Sequence, residues 1–481
     1  MITITRCQAR RLRAVFRRHV LGISHRGSIP PLVFRAENTQ LRAQYRYAAL
    51  AIEHVEEGDF CPAEMIALPL DALADIEGRD DSPIVLEAVR PEATVVRWED
   101  HGIPQTREYA VPTLESLAAF PDPPEKFDTA PGELLDVLAE ATRTCPESST
   151  RYTLECIQLR GNAHEIVATD GHQLLIQGGF ALPWNGELMV KHTLVFACKE
   201  LPRDRPVSIG RTETYVVIKA GPWTLFLEIQ TNGRYPNVDR ILPDEVSSLA
   251  RLQLNPEDAA FLLSALDSLP GADQENSPAT VDLNGRVAIR ARSTDQERPT
   301  ELVLSRSGYT GTPIRFSTNR EFVGRAIRLG FTELMITGAD NPVVCRDGGR
   351  AYGWQTLNKD SAIEPTDDVT RIESAPASSR PTPHTEELPK VRTAVSNLIR
   401  PARTASKRQV TPNGQANPQA SGSSGLAALI QEAEAVHEAL SAAKARTKRL
   451  VVALRKHRRH ERLVASTLAS LKELRLQEVA G

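Results

Sequence analysis

Apolar and polar residues follow two periods in the first 360 residues, one typical of amphipathic helices and one typical of half-buried strands. Three segments have apolar side chains at helical spacing, and each runs into short alternating stretches: TRCQARRLRAVFRRHV (5–20), APGELLDVLAEATRTC (130–145) and NPEDAAFLLSALDSL (255–269). Acidic residues in the first turn of the last two suit the positive end of a helix dipole. We therefore predict three helices, each opening a mixed α+β unit.

A second helical segment follows within each unit and leads directly into a strand. These helices are predicted at PLDALADIEG (69–78), KHTLVFACKEL (191–201) and NREFVGRAIRLG (319–330), before the strands PIVLEAV, PVSIGR and TELMITG. The order recurs with a period of roughly 115–125 residues, and Phe120-Pro121-Asp122 corresponds to Tyr235-Pro236-Asn237. The pattern predicts three tandem domains, 1–124, 125–246 and 247–360. The alternative is three unrelated α+β domains with coincidental spacing.

The composition changes near residue 360. SAPASSRPTPHTEE and TPNGQANPQASGSSG supply Pro, Ser, Thr and Gly without an apolar period, which predicts a disordered linker over 361–424. Residues 425–481 contain no Pro and no interior Gly and predict one long helix. Apolar residues at multiples of seven favour a coiled coil, and nine Lys/Arg against one Glu make 444–462 basic. We expect this helix to self-associate or bind a partner helix while its basic centre contacts DNA; a solvated basic helix is the alternative.

Overall composition constrains the function only weakly. The chain is 41% hydrophobic and 25% charged with a net charge of -3, so any nucleic-acid binding must come from local charge clusters. The N-terminus lacks an apolar signal-peptide core and no stretch is apolar enough to span a membrane, so a cytoplasmic protein without membrane contact is expected. Six cysteines occur without a CxxC pair, and no phosphate-loop, nucleophile-elbow or HExxH motif is present. We expect no metal site, no cofactor and no enzymatic activity.

Two motifs in the middle unit are specific. The stretch 151–177 contains Thr169-Asp170-Gly171-His172-Gln173-Leu174, and about sixty residues later TNGRYPNVDRILP (231–243) follows. Together they resemble the central domain of the DNA polymerase III beta subunit, the bacterial sliding clamp. The resemblance covers roughly 1–358 and implies three tandem clamp domains, each with two helices on antiparallel sheets. It further implies a head-to-tail homodimer that closes a six-domain ring around duplex DNA and makes a replicative polymerase processive.

The resemblance also implies a pocket between the second and third domains, where DNA polymerase and clamp-loader subunits dock short clamp-binding peptides. The family's pocket positions correspond to the following residues: Leu154, Thr169, Gly171, His172, Gln173, Leu174, Pro236, Arg240 and Ile241. Two departures stand out. Gln173 stands where the family has Arg or a similar long side chain, and residues 352–357 replace the family's terminal strand.

A sliding protein must attract phosphates without reading bases, so the helices lining such a ring should be basic. Arg6, Arg10, Arg13 and Arg17 fall within a stripe about 60° wide on the first helix. Further cations are expected from the second helices of the other two units: Lys191, Lys199, Arg320, Arg325 and Arg328. The opening helices of the second and third units are acidic, so the lining would be unevenly charged. A merely solvated arginine-rich surface is the alternative for the first helix.

The two ends of a three-domain crescent should pair head to tail, because exposed sheet edges must be covered. By resemblance, the strand containing Arg107 and Tyr109 would meet the third domain near Leu266 and Leu269, with Glu297 and Glu301 available to Arg107.

Two other functions compete with a working clamp. One is a degenerate clamp-like scaffold that recruits replication or repair partners without encircling DNA. The other is a hydrolase that uses Asp170 and His172. The sequence shows no further His/Asp/Glu cluster at recognisable spacing, which argues against the hydrolase.

Overall fold

The computed structural model describes residues 1–20, 28–58, 60, 63–149 and 152–374 as one compact unit. The predicted helix at 425–481 and most of the predicted linker lie outside the described residues. Within the described part, one order of elements recurs three times: a strand, a helix, a group of strands, a second helical segment and three closing strands. We call these the first, second and third repeats. The boundaries at 124, 246 and 360 stay predictions.

The first repeat begins on a capped helix. Helix α1 (Arg6–Arg13) starts at Thr5, whose hydroxyl accepts from the backbone of Gln8 while the Gln8 side chain accepts from Thr5 N. Wider π-helical turns continue it over Ala14–Val20. The second helical segment is short, a 3₁₀ turn (Leu70–Ala72) and α2 (Leu73–Ile76). The strands are β1 (Ile2–Thr5), β2 (Pro31–Glu37), β3 (Gln40–Tyr47), β4 (Leu50–Glu57), β5 (Glu64–Pro69), β6 (Pro83–Arg90), β7 (Ala93–Asp100) and β8 (Ile103–Ala110).

The second repeat has one α-helix, α3 (Glu133–Thr144), which buries Leu134, Leu135 and Leu138 on one face. The predicted helix at 191–201 is only a 3₁₀ turn, Leu194–Ala197, so that prediction was wrong in length. Its β-branched and aromatic residues favour extended backbone over a longer helix. The strands are β9 (Asp128–Ala130), β10 (Cys156–Arg160), β11 (Glu165–Thr169), β12 (Gln173–Gly178), β13 (Glu187–Lys191), β14 (Val207–Arg211), β15 (Tyr215–Ala220) and β16 (Trp223–Glu228).

The third repeat has two α-helices, each capped by an asparagine. Asn255 caps α4 (Pro256–Ala265) and Asn319 caps α5 (Arg320–Arg328), each accepting from the backbone two residues later. A 3₁₀ turn, Leu266–Ser268, follows α4. The strands are β17 (Ala250–Gln253), β18 (Pro278–Leu283), β19 (Val287–Ala291), β20 (Thr300–Val303), β21 (Gly308–Gly311), β22 (Ile314–Asn319), β23 (Glu333–Ile336), β24 (Val343–Asp347) and β25 (Arg350–Trp354).

The repeats are joined by strand pairing across their boundaries. β16 pairs antiparallel with β4 and makes one eight-stranded sheet, in which Trp223 lies opposite His54. β25 pairs antiparallel with β12 and makes one nine-stranded sheet, in which Trp354 lies opposite Gln173. At each junction, the last strand of one repeat therefore pairs with the outer edge of the corresponding strand in the repeat before it.

The cores follow the same organisation. One apolar cluster runs through the first two repeats, where Phe16 packs edge-on against Trp223 with ring centroids 5.9 Å apart. A second cluster fills the third repeat, and a small third cluster lies where the second and third repeats meet. Burying such an aromatic side chain contributes about 1.5–3 kcal/mol, so these clusters fix the sheets that carry the surfaces described below.

The segment after β25 is ordered as far as Ser374, against the prediction of disorder from 361. A 3₁₀ turn forms at Lys359–Ser361, and β26 (Thr370–Glu373) pairs in parallel with β20. The polar composition of 361–374 gave no sign of this strand, because its four residues are all exposed and show no buried alternation. The linker prediction is wrong for these residues and untested beyond them.

Candidate DNA-facing and partner-binding surfaces

The arginine stripe of the first helix is partly neutralised within the protein. Arg6 contacts Asp100 at 2.8 Å and also donates to the backbone carbonyls of Glu99 and Glu77. Arg13 contacts Glu77 at 2.6 Å. The buried face of the same helix, with Ala9 and Leu12, holds these arginines against the acidic loops. Of the four predicted phosphate contacts, Arg10 is the exposed one.

Arg17 is likewise paired, with Asp71 at 3.3 Å. The Arg17–Asp71 pair is partly exposed, and ion pairs at the surface contribute little to stability, so phosphate can compete for Arg17 at low salt. Lys191, Lys199 and Arg328 are exposed. Of the nine expected cations, four are therefore exposed, and three on the first helix are ion-paired within the chain.

Arg320 is a structural residue and not a phosphate contact, which corrects its predicted role. Its side chain is 2% exposed, and the guanidinium donates to five backbone carbonyls, those of Leu266, Leu269, Pro270, Ser277 and Pro278. Burial lowers the pKa of Arg320 from its usual value. The five donors of an arginine match this ring of carbonyls, so Arg320 fastens the loop after α4 to the start of α5.

Arg325 also has a different role from the predicted one, because it bridges the second and third repeats. Its guanidinium donates to the Glu140 carbonyl at 2.8 Å, to Thr144 Oγ1 at 2.8 Å and to Gln173 Oε1 at 2.9 Å. It lies 5.5 Å from the ring centroid of Tyr352. Sequence reasoning found Arg325 by its charge and could not see that α3 ends beside it.

The Thr169–Leu174 turn is built by its own side chains. Thr169 Oγ1 donates to the carbonyl of Gln173 at 2.6 Å, and Asp170 Oδ1 accepts from His172 N at 2.8 Å and Gln173 N at 2.9 Å. Gly171 has φ +91°, a conformation that favours glycine. Both carboxylate oxygens of Asp170 are engaged in this turn, since Oδ2 accepts from Gln173 Nε2. Among the described residues no group of three His, Cys, Asp or Glu side chains could hold a metal ion.

Gln173, the departure from the family pattern, joins three elements. Its Oε1 accepts from Tyr352 Oη at 2.8 Å and from Arg325 Nη1, while its Nε2 donates to Asp170. Burial raises the pKa of Tyr352 above its usual range, so its hydroxyl stays a donor. The two departures from the family, at 173 and at 352, therefore contact each other. Sequence reasoning noted both but had no means of pairing them.

The floor of the predicted peptide pocket is filled by the protein itself. Leu174 is 3% exposed and packs in one cluster with Tyr235, Val238 and Leu242 of the crossing segment. Leu174 is thus a core residue, which corrects its predicted role as a pocket lining. Thr169 and Gln173 are buried as well. The predicted pocket residues that remain at the surface are Leu154 and Pro236, half-buried, and Gly171, His172, Arg240 and Ile241, exposed.

An open cleft of about 660 Å³ lies on the first repeat beside the other junction, where Phe226 of β16 is its one lining residue from the second repeat. Phe120 forms its apolar wall and packs edge-on against Phe226 at 5.3 Å. Phe120-Pro121-Asp122 corresponds in the repeat to Tyr235-Pro236-Asn237, so the two junctions carry related crossing segments. The first junction has an open cleft beside it, whereas side chains of the protein fill the corresponding space at the second junction.

The predicted dimer contacts divide into exposed and buried groups. On β8, Arg107 contacts Asp75 at 2.7 Å and lies over the Tyr109 ring, and Tyr109 Oη donates to the same carboxylate. Leu266 and Leu269 are buried in the core of the third repeat, which corrects their predicted role at the interface. Their apolar character reflects core packing.

Glu297 is exposed, whereas Glu301 is 1% exposed and contacts three arginines. Arg290, Arg371 and Arg286 lie 2.7, 2.8 and 2.9 Å from its carboxylate. Burial opposes ionisation of Glu301, but hydrogen bonds from these arginines outweigh it and hold the pKa below its usual value. Glu301 is thus already neutralised within one chain.

No helix in the described part of the chain is both long enough and apolar enough to cross a membrane.

No protein-family model and no curated protein matches the sequence, but solved structures do. The DNA polymerase III subunit beta from Pseudomonas aeruginosa is 17% identical with a TM-score of 0.62, over 74% of this chain and 99% of that chain. With the same coverage, the beta subunit from Streptococcus pyogenes is 13% identical at 0.62. A Bartonella birtlesii sliding clamp bound to griselimycin is 19% identical at 0.61, again over 74% and 99%. These similarities show that the chain has the fold of the DNA polymerase III beta subunit.

Proposed function

We propose that the protein is a sliding clamp, a non-enzymatic factor that encircles duplex DNA as a ring-shaped homodimer and keeps a replicative polymerase on its template. The observation that carries this proposal is the repeated junction. β16 pairs with β4 and β25 with β12 in the same antiparallel sense. By the same rule β8 and β20 are the two strands without a partner from a neighbouring repeat, although β26 of the same chain lies on the edge of β20. A second copy would pair with β8 and, in place of β26, with β20. Two copies then close a six-domain ring with two-fold symmetry.

DNA contact in this ring rests on exposed cations that meet phosphates without base readout. Arg10, Lys191, Lys199 and Arg328 are the exposed members of the predicted set. Acidic groups on the opening helices are largely paired within the chain, as Asp136 is with Arg203 at 2.6 Å. These pairs lower the repulsion that an uneven lining would exert on DNA.

The test is retention on a nicked circular plasmid compared with the same plasmid linearised, at a salt concentration that releases ordinary phosphate binding. A ring stays on the circle and slides off the linear form. The protein mass is measured in parallel from nanomolar to high micromolar concentration, where a ring requires a dimer. Equal release from both DNA forms would contradict encirclement.

We further propose that clamp-binding peptides of a polymerase and a clamp loader dock beside the Thr169–Leu174 turn. Ile241 is 49% exposed next to exposed Arg240, which offers apolar burial with one orienting charge. Changing Ile241 to Asp should weaken peptide binding at least about tenfold in a fluorescence-polarisation titration. Val246, an apolar side chain that is 96% exposed, provides the Val246→Asp control for adding a carboxylate to the same surface segment. Equal binding by both variants would remove this site.

A tail function is proposed from the sequence alone, as 425–481 lies outside the described residues. The tail would capture a helix partner, or a second tail, through its apolar seam, while its basic centre holds DNA near the ring. Deleting 425–481 should weaken DNA retention most at low salt and leave dimerisation unchanged. Unchanged retention across a salt series would leave only the partner-helix function.

The second candidate is a clamp-like scaffold that recruits replication or repair partners without encircling DNA. It is favoured by the ion pairs of Arg6, Arg13 and Arg17. Retention on the nicked circular plasmid distinguishes the scaffold from the clamp, because a scaffold that does not encircle DNA is released from circular and linear DNA alike.

A further inference from the structure

Strand β26 covers the outer edge of β20. Thr370 N donates to the carbonyl of Pro299 at 3.0 Å, and Ser374 N donates to the carbonyl of Val303 at 3.0 Å. The pairing is parallel, with Glu301 opposite Arg371. A sheet edge that would otherwise present free N–H and C=O groups is therefore occupied by a segment of the same chain.

The threefold order of elements indicates which strand would pair with this edge of β20. β4 and β12 occupy the same place in their repeats as β20 in the third, and each pairs along its outer edge with the closing strand of the next repeat. The corresponding partner of β20 is the closing strand of a fourth repeat, which the described chain does not have. In a second copy that strand is β8, the outer strand of the four-stranded sheet.

The ion pair beneath β26 supports the same assignment. Glu301 is buried, and Arg371 supplies one of the cations that its carboxylate contacts. β8 also carries an exposed arginine, Arg107, which contacts Asp75 within its own chain. Glu301 keeps Arg290 and Arg286 as partners when Arg371 leaves, so the edge of β20 can accept another strand without leaving a buried carboxylate unpaired.

β26 is attached to the edge of β20 through contacts confined to its own few residues. Its four residues are all exposed, and Ile372 has 44% of its surface open to solvent. The contacts that fasten it are backbone bonds, the Arg371 pair and buried Ser374, whose hydroxyl accepts from Ser305 N at 3.0 Å. Little apolar surface is buried, so exchange of this strand for another is energetically accessible.

We propose that β26 is an intramolecular gate on ring closure: it occupies the edge of β20 that β8 of a second copy takes, so that dimerisation requires β26 to leave. This inference rests on the proposed ring. The occupant that competes with β26 is the Ile103–Ala110 strand of a second copy of this chain.

The experiment uses the full chain and a matched pair of substitutions at one position. Ile372→Pro removes a backbone donor from the strand, whereas Ile372→Ala keeps the donor and removes only the half-exposed side chain. Arg371→Glu is a second releasing variant, because it places a carboxylate against buried Glu301. Hydrogen exchange at 300–303 reports release of the edge, and sedimentation equilibrium reports dimerisation.

We expect Ile372→Pro and Arg371→Glu to speed exchange at 300–303 in the monomer and to tighten dimerisation by at least about tenfold, with Ile372→Ala near wild type. Adding Thr106→Pro, which disables β8, should abolish the gain. If wild type and the releasing variants dimerise equally, the proposal that β26 limits dimerisation is wrong, and the proposed ring is unaffected. If the edge opens and no variant dimerises, the ring proposal itself fails. Unchanged exchange in both releasing variants would show that β26 does not hold the edge and would also overturn the gate.

Discussion

Replacing Arg320 with methionine should destabilise the third repeat and leave DNA binding unchanged. The guanidinium donates to five carbonyls from 2.6 to 3.3 Å away. Methionine matches the length of the aliphatic stem but provides no donors, so these buried carbonyls lose a charged partner. Hydrogen bonds to charged groups contribute about 1.5–3 kcal/mol each, but removing the charge also relieves its burial. The net loss should be on the order of 3–5 kcal/mol.

The stability of Arg320→Lys should fall between that of wild type and that of Arg320→Met, because an ammonium keeps the charge but lacks the planar guanidinium that reaches several carbonyls. Unfolding is followed by urea titration together with hydrogen exchange at 266–278, which localises the effect to the loop that Arg320 fastens. DNA binding is measured below the unfolding transition across a salt series.

Arg10→Met is the matched control. Because Arg10 is exposed, its loss should leave stability unchanged and reduce the slope of log affinity against log salt by about 0.9 for one lost phosphate contact. Arg320→Met should leave that slope unchanged. The structural role of Arg320 would be refuted by a variant as stable as wild type with a reduced salt slope.

Two further predictions concern stability. Burial against Trp223, with a contribution from nearby Arg11, lowers the pKa of His54 to about 4, against about 6.5 in the unfolded chain. The neutral imidazole of His54 therefore contributes stability that is complete above pH 6.5 and declines by on the order of 3 kcal/mol as the pH falls to 4. His54→Phe should lose this part of the pH dependence of the denaturation midpoint. Parallel pH curves for wild type and His54→Phe would contradict this prediction. Gly311 has φ +95°, and a Cβ there would lie 2.2 Å from the carbonyl oxygen of Leu249, so Gly311→Ala should cost about 1–3 kcal/mol. Gly308→Ala, with open space around its Cβ, is the control in the same thermal-melt comparison, and equal melting of the two variants would argue against this strain.

Local pattern was sufficient for most of the helices and for the order of the elements. Helical spacing predicted α1, α3, α4 and α5, and the recurrence of that spacing predicted the threefold order that the structure shows. The TDGH and RYPNVDRILP motifs led to the fold that the solved structures share. These features depend on neighbours in sequence, which is why a single chain reveals them.

What a charged or apolar side chain contacts was decided only by tertiary structure. Arg10 and Arg320 look alike in sequence, yet one is exposed and the other is enclosed by carbonyls from a loop about fifty residues away. Leu174 resembled a pocket lining because nothing local shows that the crossing segment packs on it. β26 lies in a stretch whose composition indicates disorder, and its order comes from an unpaired edge supplied by residues 300–303. Periodicity reports which face of an element is buried, whereas the partner on that face is a long-range contact that no local pattern encodes.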